Sequence, residues 1–218
     1  MADITTQTRT DLGFEHVLVS GSNSWTLLLL HGTGGDEHQL VDLGRRLAPQ
    51  ATLLSPRGKE LENGVTRRFF RRRSLFELDV PDLLERTDEL SQFICAAAAA
   101  YTLDPARIVA AGYSNGANIG ASLLFRQPEV LRGAVLLRPT LPYEPGRPLS
   151  LSGKDVLVAA GLHDAYVPLE RTERLAQILR AGGVNVNYRV TEAGHELVQA
   201  DLADAARWFA ELTAEEDA

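Results

Sequence analysis

Ser114, Asp164 and His195 lie far apart in the chain, yet they are the side-chain types that together can make a hydroxyl nucleophilic. A serine needs a base to take its proton, and an imidazole base needs a carboxylate to hold its tautomer and orientation. Ser114 sits in Gly112-Tyr113-Ser114-Asn115-Gly116, a G-x-S-x-G string that follows the apolar Val109-Ala110-Ala111 and runs into a helix-forming stretch. The two glycines have a steric reason. A serine thrown out on a sharp strand-to-helix turn brings the backbone on either side too close to its neighbours for a Cβ. The turn lifts the hydroxyl off the sheet at the amino end of a helix, whose free N–H groups favour developing negative charge. Gly112, Gly116 and Gly120, at four-residue spacing, also suit a helix packed close to a sheet, and the two readings are compatible.

Asp164 follows an apolar run in Gly161-Leu162-His163-Asp164-Ala165, and His195 follows another in Thr191-Glu192-Ala193-Gly194-His195-Glu196. Taken singly, an aspartate after a strand is a turn or cap residue and a loop histidine is solvated. Three such residues at strand ends, in the chain order Ser, Asp, His, read as a triad with Ser114 as nucleophile, His195 as base and Asp164 as orienting acid. The base works as neutral imidazole, so turnover is expected to fall on acidification. A fourth element, His31-Gly32-Thr33-Gly34-Gly35-Asp36, is a glycine-rich bend after the run Leu27 to Leu30. Such a bend leaves N–H groups reachable, and the backbone amides of Thr33 and Asn115 are assigned as oxyanion donors. His31 reads as a hydrogen-bonded scaffold residue.

These residues need a frame whose strand ends share one edge. Short apolar runs at 16–20, 26–31, 52–55, 108–113, 134–138, 156–160 and 186–190 alternate with helical patterns at 38–47, 81–101, 115–126, 169–181 and 198–212. That alternation predicts one mostly parallel, twisted α/β sheet with helices on both faces, and a single domain over residues 1–218. Segments 56–78 and 139–153 break the rhythm, the first with five arginines between Arg67 and Arg73, the second with four prolines. Both are expected to be ordered loops near the site.

Composition excludes several classes. The 218 residues are 44% hydrophobic and 23% charged, a globular balance, and the formal net charge of −7 argues against nucleic acid or an anionic membrane surface as partner. The longest nearly apolar run, 93–101, is far too short to span a bilayer, and the first residues lack a secretory pattern. The single cysteine, Cys95, allows no internal disulfide, reads as a buried structural residue, and fits a reducing cytoplasm. Gly32-Thr33-Gly34-Gly35 matches neither G-x-G-x-x-G nor a phosphate loop, and His195-Glu196-Leu197-Val198-Gln199 has glutamine where a zinc motif needs histidine. No cofactor and no metal are called for.

Together, Leu30 to Glu37, Gly112 to Ala117, Gly161 to Pro168 and Gly194-His195 resemble the α/β-hydrolase superfamily, and within it the phospholipase/carboxylesterase family that includes acyl-protein thioesterases and bacterial esterases. The resemblance spans nearly the whole chain. It implies an α/β-hydrolase fold with little or no cap domain, and hydrolysis of small-molecule carboxylic esters of short or medium acyl chain, with Ser114, Asp164, His195, Thr33 and Asn115 at the family's motif positions. Thioesterase or lysophospholipase activity is the alternative within the family, a non-catalytic binding module the alternative outside it, and a homodimer is admitted. The thioesterase branch usually has glutamine after the nucleophile, where this chain has Asn115. The segment from Phe69 to Leu78 stands where the family carries an aromatic loop, but here it is rich in arginine. It is either a salt-bridged, solvated loop, or one of Arg71, Arg72 and Arg73 reaches the cleft to pair with a substrate carboxylate. Leu141 and Tyr143 either wall an acyl pocket or belong to a rigid cover.

Overall fold

The structure is a computed structural model that describes residues 6–216. Eight strands form one sheet: β1 (Thr6–Arg9), β2 (His16–Val19), β3 (Thr26–Leu30), β4 (Thr52–Pro56), β7 (Ile108–Tyr113), β8 (Gly133–Leu137), β9 (Asp155–Gly161) and β10 (Asn185–Thr191), in the order β1-β2-β4-β3-β7-β8-β9-β10. The hairpin β5 (Glu60–Glu62) and β6 (Thr66–Arg68) stands apart from it. β1, β2 and β4 pair antiparallel, and every pairing from β4 through β10 is parallel.

Alternation along the strands builds two cores. On β3, Leu28 and Leu30 face one side, while Leu27 and Leu29 face the other. The first side packs against α2 (Val80–Tyr101), α3 (Asn115–Arg126) and α4 (Leu169–Ala181) through Leu83, Leu90, Ile119, Leu123 and Leu175. The second packs against α1 (Val41–Leu47) and α5 (Gln199–Glu216) through Val41, Leu47, Trp208 and Phe209. The central strands are buried on both faces and therefore read as unbroken apolar runs. No helix among the described residues is long and apolar enough to cross a membrane.

Two expectations are corrected, and one strand was not foreseen. Segment 56–78 is not loop throughout, because it holds the β5–β6 hairpin and an isolated bridge between Arg72 and Leu78. β1 carries no apolar alternation and forms only by pairing with β2. Cys95 is exposed, not buried. The buried stripe of α2 runs through Leu83, Thr87, Leu90, Ile94 and Ala98, and Cys95 lies about 100° round the helix from Ile94.

All five parallel strands from β3 to β10 that bear on the site end on the same edge, where their loops gather. The position of that edge depends on how closely α3 meets the sheet. A Cβ at residue 116 would collide with the carbonyl oxygen of Leu30, and one at residue 112 would sit 2.5 Å from the carbonyl oxygen of Gly116. Gly116→Ala is expected to cost about 3 kcal/mol or more of unfolding free energy, since the obstacle is backbone. Gly146→Ala, where nothing lies within 4 Å, should change it by less than about 0.5 kcal/mol. Urea unfolding followed by tryptophan fluorescence measures both; equal stability of the two variants would contradict the close approach.

Candidate active site

Ser114 caps α3 at φ 52°, ψ −111°, a conformation that L-residues adopt only when the surroundings enforce it. Its amide donates to Leu137 O at 2.9 Å, so the turn is tied to the next strand, and its carbonyl accepts from the Asn118 amide at 3.0 Å. Oγ is thereby held up from the sheet edge, 2.8 Å from His195 Nε2. His195 Nδ1 lies 2.7 Å from Asp164 Oδ2, and the Asp164 side chain is only 2% exposed. Asp164 Oδ1 accepts from the amides of Tyr166 and Val167 at 2.8 and 3.0 Å, which leaves Oδ2 for the imidazole. The structure therefore brings all three residues of the expected triad within hydrogen-bond distance.

Two tyrosines frame the imidazole. The Tyr166 ring stands edge-on to it at 5.2 Å, and the Tyr113 ring lies 5.5 Å away. Tyr113 also donates its hydroxyl to His195 O at 3.0 Å, and burial raises its phenol above the ordinary value. A stronger hold comes from Arg138, at the end of β8 with φ 54° and fully buried. It donates to Gly194 O at 3.0 Å and Glu196 O at 2.9 Å, the carbonyls on either side of His195. Its charge is matched by Asp201, whose two oxygens accept at 3.0 and 2.6 Å.

The bend after β3 is just as firmly held. Of its amides, Gly32 donates to Gln39 Oε1, Gly34 to Arg67 O and Gly35 to Gly32 O. The Thr33 amide is left without a protein acceptor among the described residues. Asn115 opens α3, where an amide has no intrahelical acceptor. These are the two amides assigned from sequence. Burial depresses the pKa of His31 and keeps it neutral: Nδ1 donates to Gly32 O at 2.8 Å and Nε2 accepts from the Gly58 amide at 2.9 Å. Burial pushes the Glu37 carboxyl up, but hydrogen bonds from Arg57 and the backbone outweigh it and leave the group below its ordinary value.

The β5–β6 hairpin reaches both amide positions. Arg68 Nη1 donates to Thr33 Oγ1 at 2.7 Å, and the Phe69 amide donates to Asn115 Oδ1 at 2.7 Å. That bond fixes the orientation of the Asn115 amide group and leaves its buried Nδ2 without a partner. Arg68 and Arg138 were missed by the sequence reading. The signal for Arg138 is a cation closing the apolar strand Gly133–Leu137; the signal for Arg68 is visible only once the hairpin is known.

A cavity of about 530 Å³ opens over Ser114 and His195. Of the residues assigned to substrate from sequence, Arg72 lines it, with its guanidinium in a two-pronged pair with Glu62 at 2.6 and 2.8 Å. Arg71 lies outside it, paired with Asp82 at 2.9 Å, and Arg73 pairs with Glu77 at 3.5 Å. Leu141 and Tyr143 line an adjoining cavity instead; Leu141 is core, and Tyr143 packs on Phe125 at 5.6 Å. Among the described residues no cluster of histidine, cysteine, aspartate or glutamate could hold a metal ion.

The family model of phospholipase/carboxylesterase proteins matches residues 17–212, and the chain belongs to that family. It is 42% identical over 197 residues to MhqD of Bacillus subtilis strain 168, named as a hydrolase, covering 90% of this chain and 98% of that one. The crystal structure of the Bacillus cereus carboxylesterase superposes with a TM-score of 0.90 at 40% identity, over 93% of this chain and 96% of that one. A carboxylesterase from Mesorhizobium loti superposes with a TM-score of 0.87 at 33% identity, over 94% and 98% of the two chains.

The Arg138–Asp201 pair yields a prediction. Arg138→Met leaves Asp201 charged and buried, and is expected to lower unfolding free energy by about 3–5 kcal/mol. Adding Asp201→Leu is expected to restore a large part of the stability but not the activity, because the carbonyls beside His195 stay unheld. Urea unfolding and esterase assays on the single and double variants measure this. A single variant as stable as wild type would show that the pair does not hold the loop.

Proposed function

We propose that the protein is a serine carboxylesterase that hydrolyses small-molecule carboxylic esters through an acyl-enzyme. Ser114 Oγ attacks the carbonyl carbon while His195 Nε2 takes its proton, and Asp164 holds the Nδ1–H and stabilises the imidazolium. The Thr33 and Asn115 amides receive the oxyanion. Collapse of the tetrahedral intermediate breaks the bond to the alcohol oxygen, which leaves with the proton from His195. Water then attacks the acyl group with His195 again as base, and the acid is released as Ser114 recovers its proton.

The observation that carries this reading is the unbroken hydrogen-bond chain from Ser114 Oγ through the imidazole to Asp164, open to a cavity. Two relatives named as carboxylesterases support ester as the substrate class. Leu75, Phe76 and Leu78 give the cavity an apolar wall, and its volume lies in the range that encloses small ligands, which supports short or medium acyl chains.

The test is a p-nitrophenyl ester series from acetate to octanoate. Ser114→Ala is expected to lower kcat by about 10⁴-fold or more, and Asp164→Asn by a factor on the order of 10⁴, with folding intact. The activity optimum is expected within the shorter half of the series. Wild-type turnover in folded Ser114→Ala would contradict the mechanism.

A further inference from the structure

The cavity over Ser114 is cationic in a chain whose net charge is −7. Arg68, Arg72 and Arg171 line it, and no aspartate or glutamate does. The three are not equivalent. Arg72 is matched by Glu62. Arg171 is at the surface and donates to Leu141 O at 2.9 Å. Arg68 is only 4% exposed and has no carboxylate within ion-pair distance among the described residues. Its protein contacts are neutral acceptors, Phe70 O to Nε at 3.1 Å and Thr33 Oγ1 to Nη1 at 2.7 Å, and Nη2 has none among the described residues.

A buried guanidinium without a counter-ion is costly, and proteins rarely keep one unless something anionic completes it. Burial, with the nearby charge of Arg72 adding to it and the more distant carboxylate of Glu62 only partly opposing it, holds Arg68 down to about 10, still fully cationic at neutral pH. The unmet positions of the Arg68 guanidinium are donors, so the missing partner is an acceptor. With Nε and one Nη1 hydrogen committed, the remaining fork of Nη1 and Nη2 suits the two oxygens of one carboxylate.

We propose that the preferred ester carries a free carboxylate, on its acyl or its alcohol part, and that Arg68 is the residue that binds it while Ser114 attacks. This rests on the serine esterase reading above. Arg68 is one hydrogen bond from Thr33, whose amide is the assigned oxyanion donor, so the recognised charge and the reacting carbonyl lie in one cavity. The surrounding arginines add a field that draws anionic substrates in.

The experiment compares two pairs of esters that differ only in a methyl cap on the carboxylate. The acyl arm uses the mono-p-nitrophenyl ester of adipic acid against its methyl-capped form, and the alcohol arm uses 4-acetoxybenzoate against its methyl ester. In one arm the wild type is expected to favour the free carboxylate by about tenfold or more in kcat/KM, mainly through KM, and the responding arm tells which side carries the charge. Arg68→Gln is expected to abolish that ratio and Arg68→Lys to keep part of it, while both still cleave the capped esters. Should Arg68→Gln fail to fold, adipate is expected to inhibit wild-type turnover of the capped ester competitively, and the neutral, non-ester adipamide not to.

No charge preference in either arm for wild type, or an unaltered ratio in both Arg68 variants, overturns the proposal and assigns Arg68 the lesser task of bracing Thr33. If wild type cleaves the capped esters but ignores the charge, the esterase reading stands and only the anion site falls. If it cleaves none of the four, both fall together.

Discussion

Helix α3 meets strand β3 with no room for a side chain between them, and the whole carboxyl edge of the sheet is built around that approach. The approach forces the sharp turn at Ser114, whose left-handed backbone is held by its own amide on β8 and its own carbonyl on α3. It also brings the start of α3 close to the bend that follows β3, so that Asn115 and Thr33 line one cavity. A hydroxyl, and the two amides proposed to receive the charge it would create, thus depend on a single packing constraint. Because the constraint is backbone against backbone, it has little freedom to relax.

What the packing leaves loose is tied down by buried charge. Arg138 and Asp201 neutralise each other within the protein, and Arg138 also donates to the carbonyls that flank His195. Arg57 and Glu37 do the same for the far end of the bend after β3, and Arg57 reaches Glu15 at 2.6 Å as well. The hairpin from Glu60 to Arg68 is joined to Thr33 through Arg68 and, by the adjoining Phe69, to Asn115. Against these matched pairs, Arg68 stands out as a buried cation with no carboxylate within ion-pair distance among the described residues.

The central strands were legible because parallel strands buried on both faces read as plain apolar runs, and the strand-end residues because glycine, serine, aspartate and histidine there have few other reasons to follow such runs. Apart from β2, foreseen at 16–20, the antiparallel elements were not legible. β1 is polar, and the β5–β6 hairpin is set by backbone pairing in which Glu60 stands opposite Arg68 and Leu61 opposite Arg67 in register, which no local periodicity announces. That hairpin decides which arginine matters. In a pleated strand Arg67 and Arg68 point to opposite sides, so the register turns Arg68 to the cavity while Arg67 donates to Gly58 O. Arg71 and Arg73 fall beyond the hairpin and find acidic neighbours. Cys95 was placed on the wrong face of α2 because an alanine-rich helix gives a faint apolar stripe.

The most direct test of the account is the crystal structure of the protein inactivated by a small alkyl fluorophosphonate, whose tetrahedral phosphorus imitates the acylation intermediate. The account predicts phosphorus bonded to Ser114 Oγ, its free oxygen within about 3.1 Å of both the Thr33 and Asn115 amide nitrogens, and Ser114 still at positive φ. Phosphorus on any other residue, or an oxygen turned away from those two amides, would contradict it.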